Sequence, residues 1–460
     1  MIRVKGKPDV AITVRSTRHG PVLSDAALAG LGDEPAGTLG PKAHPAYAVA
    51  LRWTGLDTDH DITASTLKMN AADSVDAFIT ATRGWFVPMQ NMAVADDAGR
   101  IALVSPGRVP LRRPDNDLQG LAPAPGWEAR YDWAGYLPAD QVPLIRDPAA
   151  GFIANANQKV TLPDYPHFIS HHWALPFRHQ RIVQLMAAQP THSLADVGRM
   201  QADVKSLAVA QLLPRLRQAQ STHPLAAAAM AQLAGFDGTM AADKAAPLIY
   251  WAWHRHMTQQ VLADELGAPL YDRLLGQRGY FDALEAALAA GEGGDGWWCD
   301  DKSTPAVETC QQQTDRAFTA ALDELQAAQG ADVAAWQWGR AHTARAEHRP
   351  FSRVKPLAKW FELRTPVGGD SYTVNVSRVS LKADATTGEF YLSEHGPSLR
   401  GLYDLGDRAN SRVVHSTGQS GIVWSPLYRN MLEPWRRVEG VPLFVPAGAA
   451  LQTLSISPAP

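Results

Sequence analysis

Two asparagines stand two positions apart in the stretch GFIANANQKV, residues 151–160. The apolar run Gly-Phe-Ile-Ala predicts a strand that ends there, with Asn155 and Asn157 alternating at its exit. Catalytic side chains concentrate at strand ends and the loops after them, so the pair poses the question of what one of the amides holds. A second group is PHFISHHW, with His167, His171 and His172. The i, i+4 spacing of His167 and His171 would suit a metal on a helix. Pro163 and Pro166 precede it, however, and no glutamate flanks either histidine, so hydrogen-bonded or surface imidazoles are the expectation. In GQSG, 418–421, the serine is followed at once by glycine, which departs from the G-x-S-x-G nucleophile turn.

Arg18-His19-Gly20, in STRHGPVLSD, resembles the motif of histidine phosphatases, whose imidazole accepts a phosphoryl group. Three residues are a short match. Those enzymes place the motif on the first strand of a βα unit, whereas Pro21 follows here and no helical pattern begins. The bland reading is a turn shaped by His19 and Gly20, and phosphatase stays a distant alternative.

The elements that must position these groups fall into three zones of the 460 residues. Residues 1–190 are strand-rich: DVAITVR, YAVALRW, MAVADD and RIALVSP run or alternate apolar between turns such as DDAGR. One helix is read there, at DSVDAFITATRGW. Residues 191–345 carry helical spacing, opening at Ser193 as N-cap with Asp196 three positions on. Residues 346–460 are mixed, with GGDSYTVNVSRVSL, TGEFYLSE and GQSGIVWS as strand or loop candidates. Strands, then helices, then strands predict one α+β core interrupted by a helical insertion.

Composition sets outer bounds. A net charge of −3 favours neither nucleic acid nor an anionic membrane as partner. No apolar run is long enough to span a bilayer, and no apolar stretch backs the basic start MIRVKGKPDV as a signal peptide would require. The two cysteines, Cys299 and Cys310 in WWCDDKSTPAVETC, are open to both readings. The stretch between them can loop back to form a disulfide, which would indicate an oxidising compartment; equally, they are two unrelated thiols.

An ordered series then carries a resemblance: TRHGPVLSD, WTGLD, NMAVADDAGRIALVSPGRVPLR, YDWAGYLP, GFIANANQKV, DYPHFIS, PFRHQRI, and late in the chain GGDSYTVNVSRVSL, GPSLRGLYDLGD and STGQSGIVWSPLY. It resembles the β-subunit of the penicillin acylase family of N-terminal-nucleophile hydrolases, and its WCDD…C and DYPHFIS stretches look most like the acyl-homoserine-lactone acylases. The resemblance spans nearly the whole chain. It implies an αββα sandwich, incomplete here, with a helical insertion. It also implies an N-acyl amide hydrolase of the penicillin amidase type, working in the periplasm without a cofactor, alongside a small α-subunit.

Carried over by position, the second asparagine of the pair, Asn157, takes the place of the family's oxyanion donor. Asn155 is then left to brace the backbone. Arg178, in PFRHQRI, matches the arginine that hydrogen-bonds around the reacting centre, and Trp53, in LRWTG, matches a wall of the acyl pocket. The family's nucleophile is a serine at the first position of the β-subunit, with its own α-amino group as base. This chain reads Met1-Ile2 there, and no serine is matched to that role. The expectation is a truncated acylase, inactive alone; a non-catalytic binding relative is the alternative. The downstream aspartate that helps bind calcium in some members falls near Ile169, so no metal is expected.

Overall fold

The structure, a computed structural model, describes residues 1–25, 48–277, 279–290 and 297–444. They divide into two compact units, Met1–Ala174 and Leu175–Pro460.

In the first unit, β1 (Ser16–Thr17) and β2 (Gly20–Pro21) pair around Arg18-His19. Gly20 has φ +131°, and a Cβ there would run into the Leu51 carbonyl, so the glycine is demanded by the turn itself. Two helices follow, α1 (Ile62–Asn70) and α2 (Val75–Thr82), capped by the Asp61 carboxylate and the Ser74 hydroxyl. The sequence reading foresees only α2. In α1, Ile62, Thr63 and Thr66 are β-branched and weaken the helical signal, leaving Asp61 as its sign.

The central sheet of this unit has the order β3-β4-β7, with β3 at Met92–Ala95, β4 at Ile101–Val104 and β7 at Leu144–Arg146. All pairings are antiparallel, and the register sets Met92 opposite Val104 and Val104 opposite Leu144. A second ladder joins β5 (Pro110–Arg112) to β6 (Trp133–Tyr136). Val104, Val109, Leu137 and Val142 form the core beneath, with Ile79, Met92 and Ile169 packed on it. The expected strand DVAITVR makes only an isolated bridge, Val10 to Ile2, and leaves Ile12 and Val14 exposed. YAVALRW makes one bridge, Ala50 to Val22; its Tyr47 lies outside the described residues.

The second unit begins with α3 (Phe177–Ala187) and α4 (Leu194–Gln201), the latter opened by a capping box between Ser193 and Asp196. Then come α5 (Val209–Leu216), α6 (Ala226–Ala234), α7 (Ala245–Leu275), α8 (Tyr280–Ala290) and α9 (Cys310–Gln329). Helix α7 leaves helical geometry at Gly267, just before Pro269. Its first half is buried on all sides and carries Trp251 and Trp253, fully enclosed with Phe281, Phe318, Trp336 and Trp338. Beyond α10 (Trp338–Ala341), β8 (Thr343–Ala346) pairs with β9 (Leu363–Pro366) across α11 (Lys355–Phe361). A last sheet joins β10 (Leu399–Leu402), β11 (Arg412–His415) and β12 (Val441–Pro442), with α12 (Leu432–Arg436) between the last two. The GGDSYTVNVSRVSL stretch forms turns and one bridge, Val379 to Ser393, rather than a strand.

The sulfurs of Cys299 and Cys310 are bonded, with the two Cα atoms 4.9 Å apart. The bond closes a loop of 11 residues between a short turn and the first residue of α9. Closing a loop of that length removes unfolded-state entropy equivalent to about 3 kcal/mol. The variant carrying Cys299→Ala and Cys310→Ala together is therefore expected to lose about 3 kcal/mol in urea denaturation under oxidising conditions, and to match the parent once the parent's disulfide is reduced.

Candidate active site

The asparagine pair lies in an irregular loop, not at the end of a strand. After β7 the chain turns through Asp147 and Gly151 and runs back without ladder hydrogen bonds over 152–155. Side chains take over the backbone's partners there. The Asn155 Oδ1 accepts the N–H of Asn157 at 3.1 Å, and the Gln158 Oε1 accepts the N–H of Ala156 at 2.7 Å. Such local bonds offer the chain an alternative to a sheet. They place Asn157 at φ +65°, a left-handed conformation that asparagine tolerates better than other side chains with a Cβ. Its carbonyl accepts the N–H of Ala174 at 2.9 Å, its side chain is exposed, and the neighbouring Ala156 is buried.

Arg178 is the second residue of α3, in the other compact unit, and is half-buried. The preceding residue, Phe177, anchors that helix against Phe281 and Tyr372 at ring separations of 6.0 and 5.7 Å.

Trp53 precedes a single 3-10 turn, Thr54–Leu56, and is 49% exposed. A cluster that the sequence reading missed follows directly. Arg108 bonds Asp57 at 2.9 Å and Asp59 at 2.6 Å, and lies over the rings of Phe86 and Tyr136 at 4.1 and 4.9 Å. Tyr136 donates its hydroxyl to Asp57 at 3.0 Å. The hydrogen bond to Asp59, with Asp57 beside it, holds the guanidinium firmly charged, and the same bond lowers the Asp59 carboxyl below its ordinary range. A cleft of about 280 Å³ opens beside Arg108, lined also by Trp85, Phe86, Tyr136 and Leu137; Trp53 is not among its walls.

Arg18 and His19 share one partner. Arg18 grips the Asp132 carboxylate with contacts of 2.9 and 2.8 Å, and the His19 Nε2 meets the same group at 2.9 Å. Those bonds, that of Arg18 first, lower the Asp132 carboxyl. The motif thus ties a turn to a distant carboxylate, and among the described residues only a 3-10 turn, Leu23–Asp25, follows it. His167 and His171 lie in a non-helical segment and meet Gln141 and Gln119 at 3.0 and 3.1 Å. Ile169 packs on the first unit's core. Around GQSG, the Ser420 hydroxyl accepts the N–H of Ile422 at 3.1 Å within a loop.

The fold is that of an N-terminal-nucleophile hydrolase: the thermostable penicillin G acylase from Alcaligenes faecalis matches with a TM-score of 0.65 at 20% identity, covering 100% of this chain and 81% of that one. The family profile described as Penicillin amidase matches residues 1–449, and the chain belongs to that family. Relatives include the acyl-homoserine lactone acylase QuiP of Pseudomonas fluorescens Pf0-1, 29% identical over 96% of this chain and 52% of its own length. The Penicillin acylase 2 proenzyme of Pseudomonas sp. SE83 is also 29% identical, over 96% of this chain and 53% of its own length. The chain spans about half the length of the curated relatives it matches.

Proposed function

We propose that the chain is part of an N-acyl amide hydrolase that works through an acyl-enzyme on an N-terminal serine lying outside these 460 residues. The serine oxygen attacks the amide carbonyl while the serine's own α-amino group takes its proton. The carbonyl oxygen becomes an oxyanion, and the Asn157 amide donates a hydrogen bond to it. Collapse expels the amine, which takes up the proton, and leaves an ester. Water attacks that ester in turn, giving a proton to the α-amino group; the same donor steadies the second oxyanion, and its collapse breaks the ester bond, returns the proton to the serine oxygen and frees the acid. Arg178 serves as a hydrogen-bonding cation around the reacting centre, and Trp53 as a wall for an apolar acyl group.

The observation that carries this reading is the Asn157 loop. The Asn157 backbone is held at φ +65° by the bond its N–H donates and the bond its carbonyl accepts, and its side chain is exposed, which supports a donor presented from a fixed position to an oxyanion. Family membership supplies the reaction class. The relatives' names span acyl-homoserine lactones and penicillin, so the proposed substrate class is an N-acyl amide with an apolar acyl group. The disulfide agrees with a periplasmic setting, and an α-subunit with an upstream β segment are the proposed protein partners.

The test is turnover with and without the nucleophile. The purified 460-residue chain is expected to release no acid from an acyl-homoserine lactone or from penicillin G. Co-production with the corresponding α-subunit and an upstream β segment beginning at serine is expected to produce hydrolysis, and changing that serine to alanine to abolish it. Serine-dependent turnover by the 460 residues alone, or none in the assembled enzyme, would sink the proposal.

A further inference from the structure

The Asn157 loop is held by groups that neither the motif nor the reaction names. The β3–β4 register sets Met92 opposite Val104, so the next pair outward is Asn91 and Ser105. Their side chains meet: the Ser105 hydroxyl donates to the Asn91 Oδ1 at 2.7 Å. The Asn91 Nδ2 in turn donates to the Asn155 Oδ1 at 3.4 Å. That oxygen is the one that accepts the N–H of Asn157. Ser105 is 1% exposed, and its backbone N–H is bonded to the Pro143 carbonyl at 2.9 Å, one position before β7. The relay therefore starts in the sheet core and ends on the exposed asparagine.

The order of donors and acceptors gives the relay its consequence. The Asn157 N–H can only donate, so the Asn155 oxygen faces it; the nitrogen end of Asn91 then meets that oxygen, and its oxygen end is held by the Ser105 hydroxyl. A nitrogen donor there holds the Asn155 oxygen toward Asn157. Were the Asn155 amide to turn over, its NH₂ would face the Asn157 N–H, donor against donor, and the left-handed turn would lose the bond that defines it. The alternative is an ordinary polar pair across two strands, which would leave Asn157 indifferent to it.

We propose that Asn91 and Ser105 are positioning residues that fix the amide of Asn155 and, through it, the backbone of Asn157. The inference rests on the oxyanion role given to Asn157 above.

Two variants test it. Asn91→Asp keeps the acceptor for Ser105 but removes the donor to Asn155; Ser105→Ala removes the start of the relay. In the 460-residue chain labelled with ¹⁵N at asparagine, hydrogen exchange of the Asn157 N–H is expected to accelerate about tenfold in both, because its acceptor is no longer held. In the assembled enzyme, kcat is expected to fall about tenfold with KM unchanged, as a slight misplacement of the donor produces. Unchanged exchange in both variants overturns the proposal, and so does faster exchange with unchanged kcat. Asn157→Gly separates the two failures. If that variant keeps the parent kcat, the oxyanion reading has failed; if it loses activity while Asn91→Asp and Ser105→Ala do not, only the relay has failed.

Discussion

In the assembled enzyme, Asn157→Gly is expected to lower kcat by about 100- to 1000-fold while leaving KM and the melting temperature near those of the parent. Glycine is the informative replacement because it adopts φ +65° without strain. The N–H bond to Asn155 and the carbonyl bond from Ala174 survive, since both are made by the backbone of residue 157. Only the side-chain amide is lost. A donor aimed at the oxyanion strengthens its bond as charge develops, so its loss appears in kcat and not in KM. Asn157→Ala removes the same amide and keeps the Cβ, but alanine lacks asparagine's tolerance of the left-handed region, a cost of about 1 kcal/mol, so its melting temperature should fall as well. Asn157→Asp keeps the shape and sets a negative charge where the oxyanion forms, so its kcat should be the lowest of the three. The ranking is checked by steady-state kinetics beside thermal melts. A parent-like kcat in Asn157→Gly would make residue 157 a turn-former and nothing more.

How much of this could be read from the chain depended on how local the physics was. The box of Ser193 and Asp196 was legible because cap and helix are adjacent in sequence. MAVADD and RIALVSP were legible as strands for the same reason: a short turn joins them, the first alternates between a half-buried and an exposed face, and the second is a short apolar run that ends up buried. DVAITVR has the same kind of pattern, yet Ile12 and Val14 stay exposed outside any ladder, because a strand also needs a neighbour and no pattern within one segment supplies it. The asparagine pair stood out by spacing, but its geometry did not. The strand expected at GFIA gives way to side-chain bonds from Asn155 and Gln158 that capture the N–H groups a ladder would use. Arg108 was invisible in its own surroundings, GRVP, since its partners Asp57 and Asp59 lie some fifty positions upstream. The family resemblance, confirmed over residues 1–449, ordered these pieces where local pattern could not.

Asp370→Asn is expected to stabilise the second unit at pH 8 by about 3 kcal/mol and to change it little near pH 4. In sequence Asp370 sits in GGDSY and reads as a turn residue; in the structure it is fully buried. Its Oδ1 accepts the N–H of Tyr372 at 2.7 Å, its Oδ2 finds no hydrogen-bond partner, and the side chains of Ser206 and Trp251 act on the carboxyl from nearby. The buried Tyr250, Tyr280 and Tyr372 interact with it electrostatically, and Glu285 and Arg378 act in turn on Tyr250 and Tyr280. No cation is placed against the carboxylate among these groups, and burial holds His254, which packs on Tyr250 and Tyr280, neutral down to about pH 3. Burial pushes the Asp370 carboxyl up to about 6, from an ordinary 3.8. The fold thus binds this proton more tightly than the unfolded chain does. Its contribution is complete below about pH 4 and is lost as pH rises through 6, so ionised Asp370 weighs against the fold at neutral pH. At about 1.4 kcal/mol for each pH unit between the two values, that weight is about 3 kcal/mol. Asparagine keeps the acceptor for Tyr372 and cannot ionise. Urea denaturation followed by tryptophan fluorescence reports on this unit, whose core holds Trp251, Trp253, Trp336 and Trp338. Subtracting parent from variant at pH 4, 5, 6, 7 and 8 cancels every group the two share. The difference should be near zero at the acid end and grow through pH 6; a flat difference, or one that shrinks as pH rises, would mean that Asp370 does not carry the charge cost assigned to it.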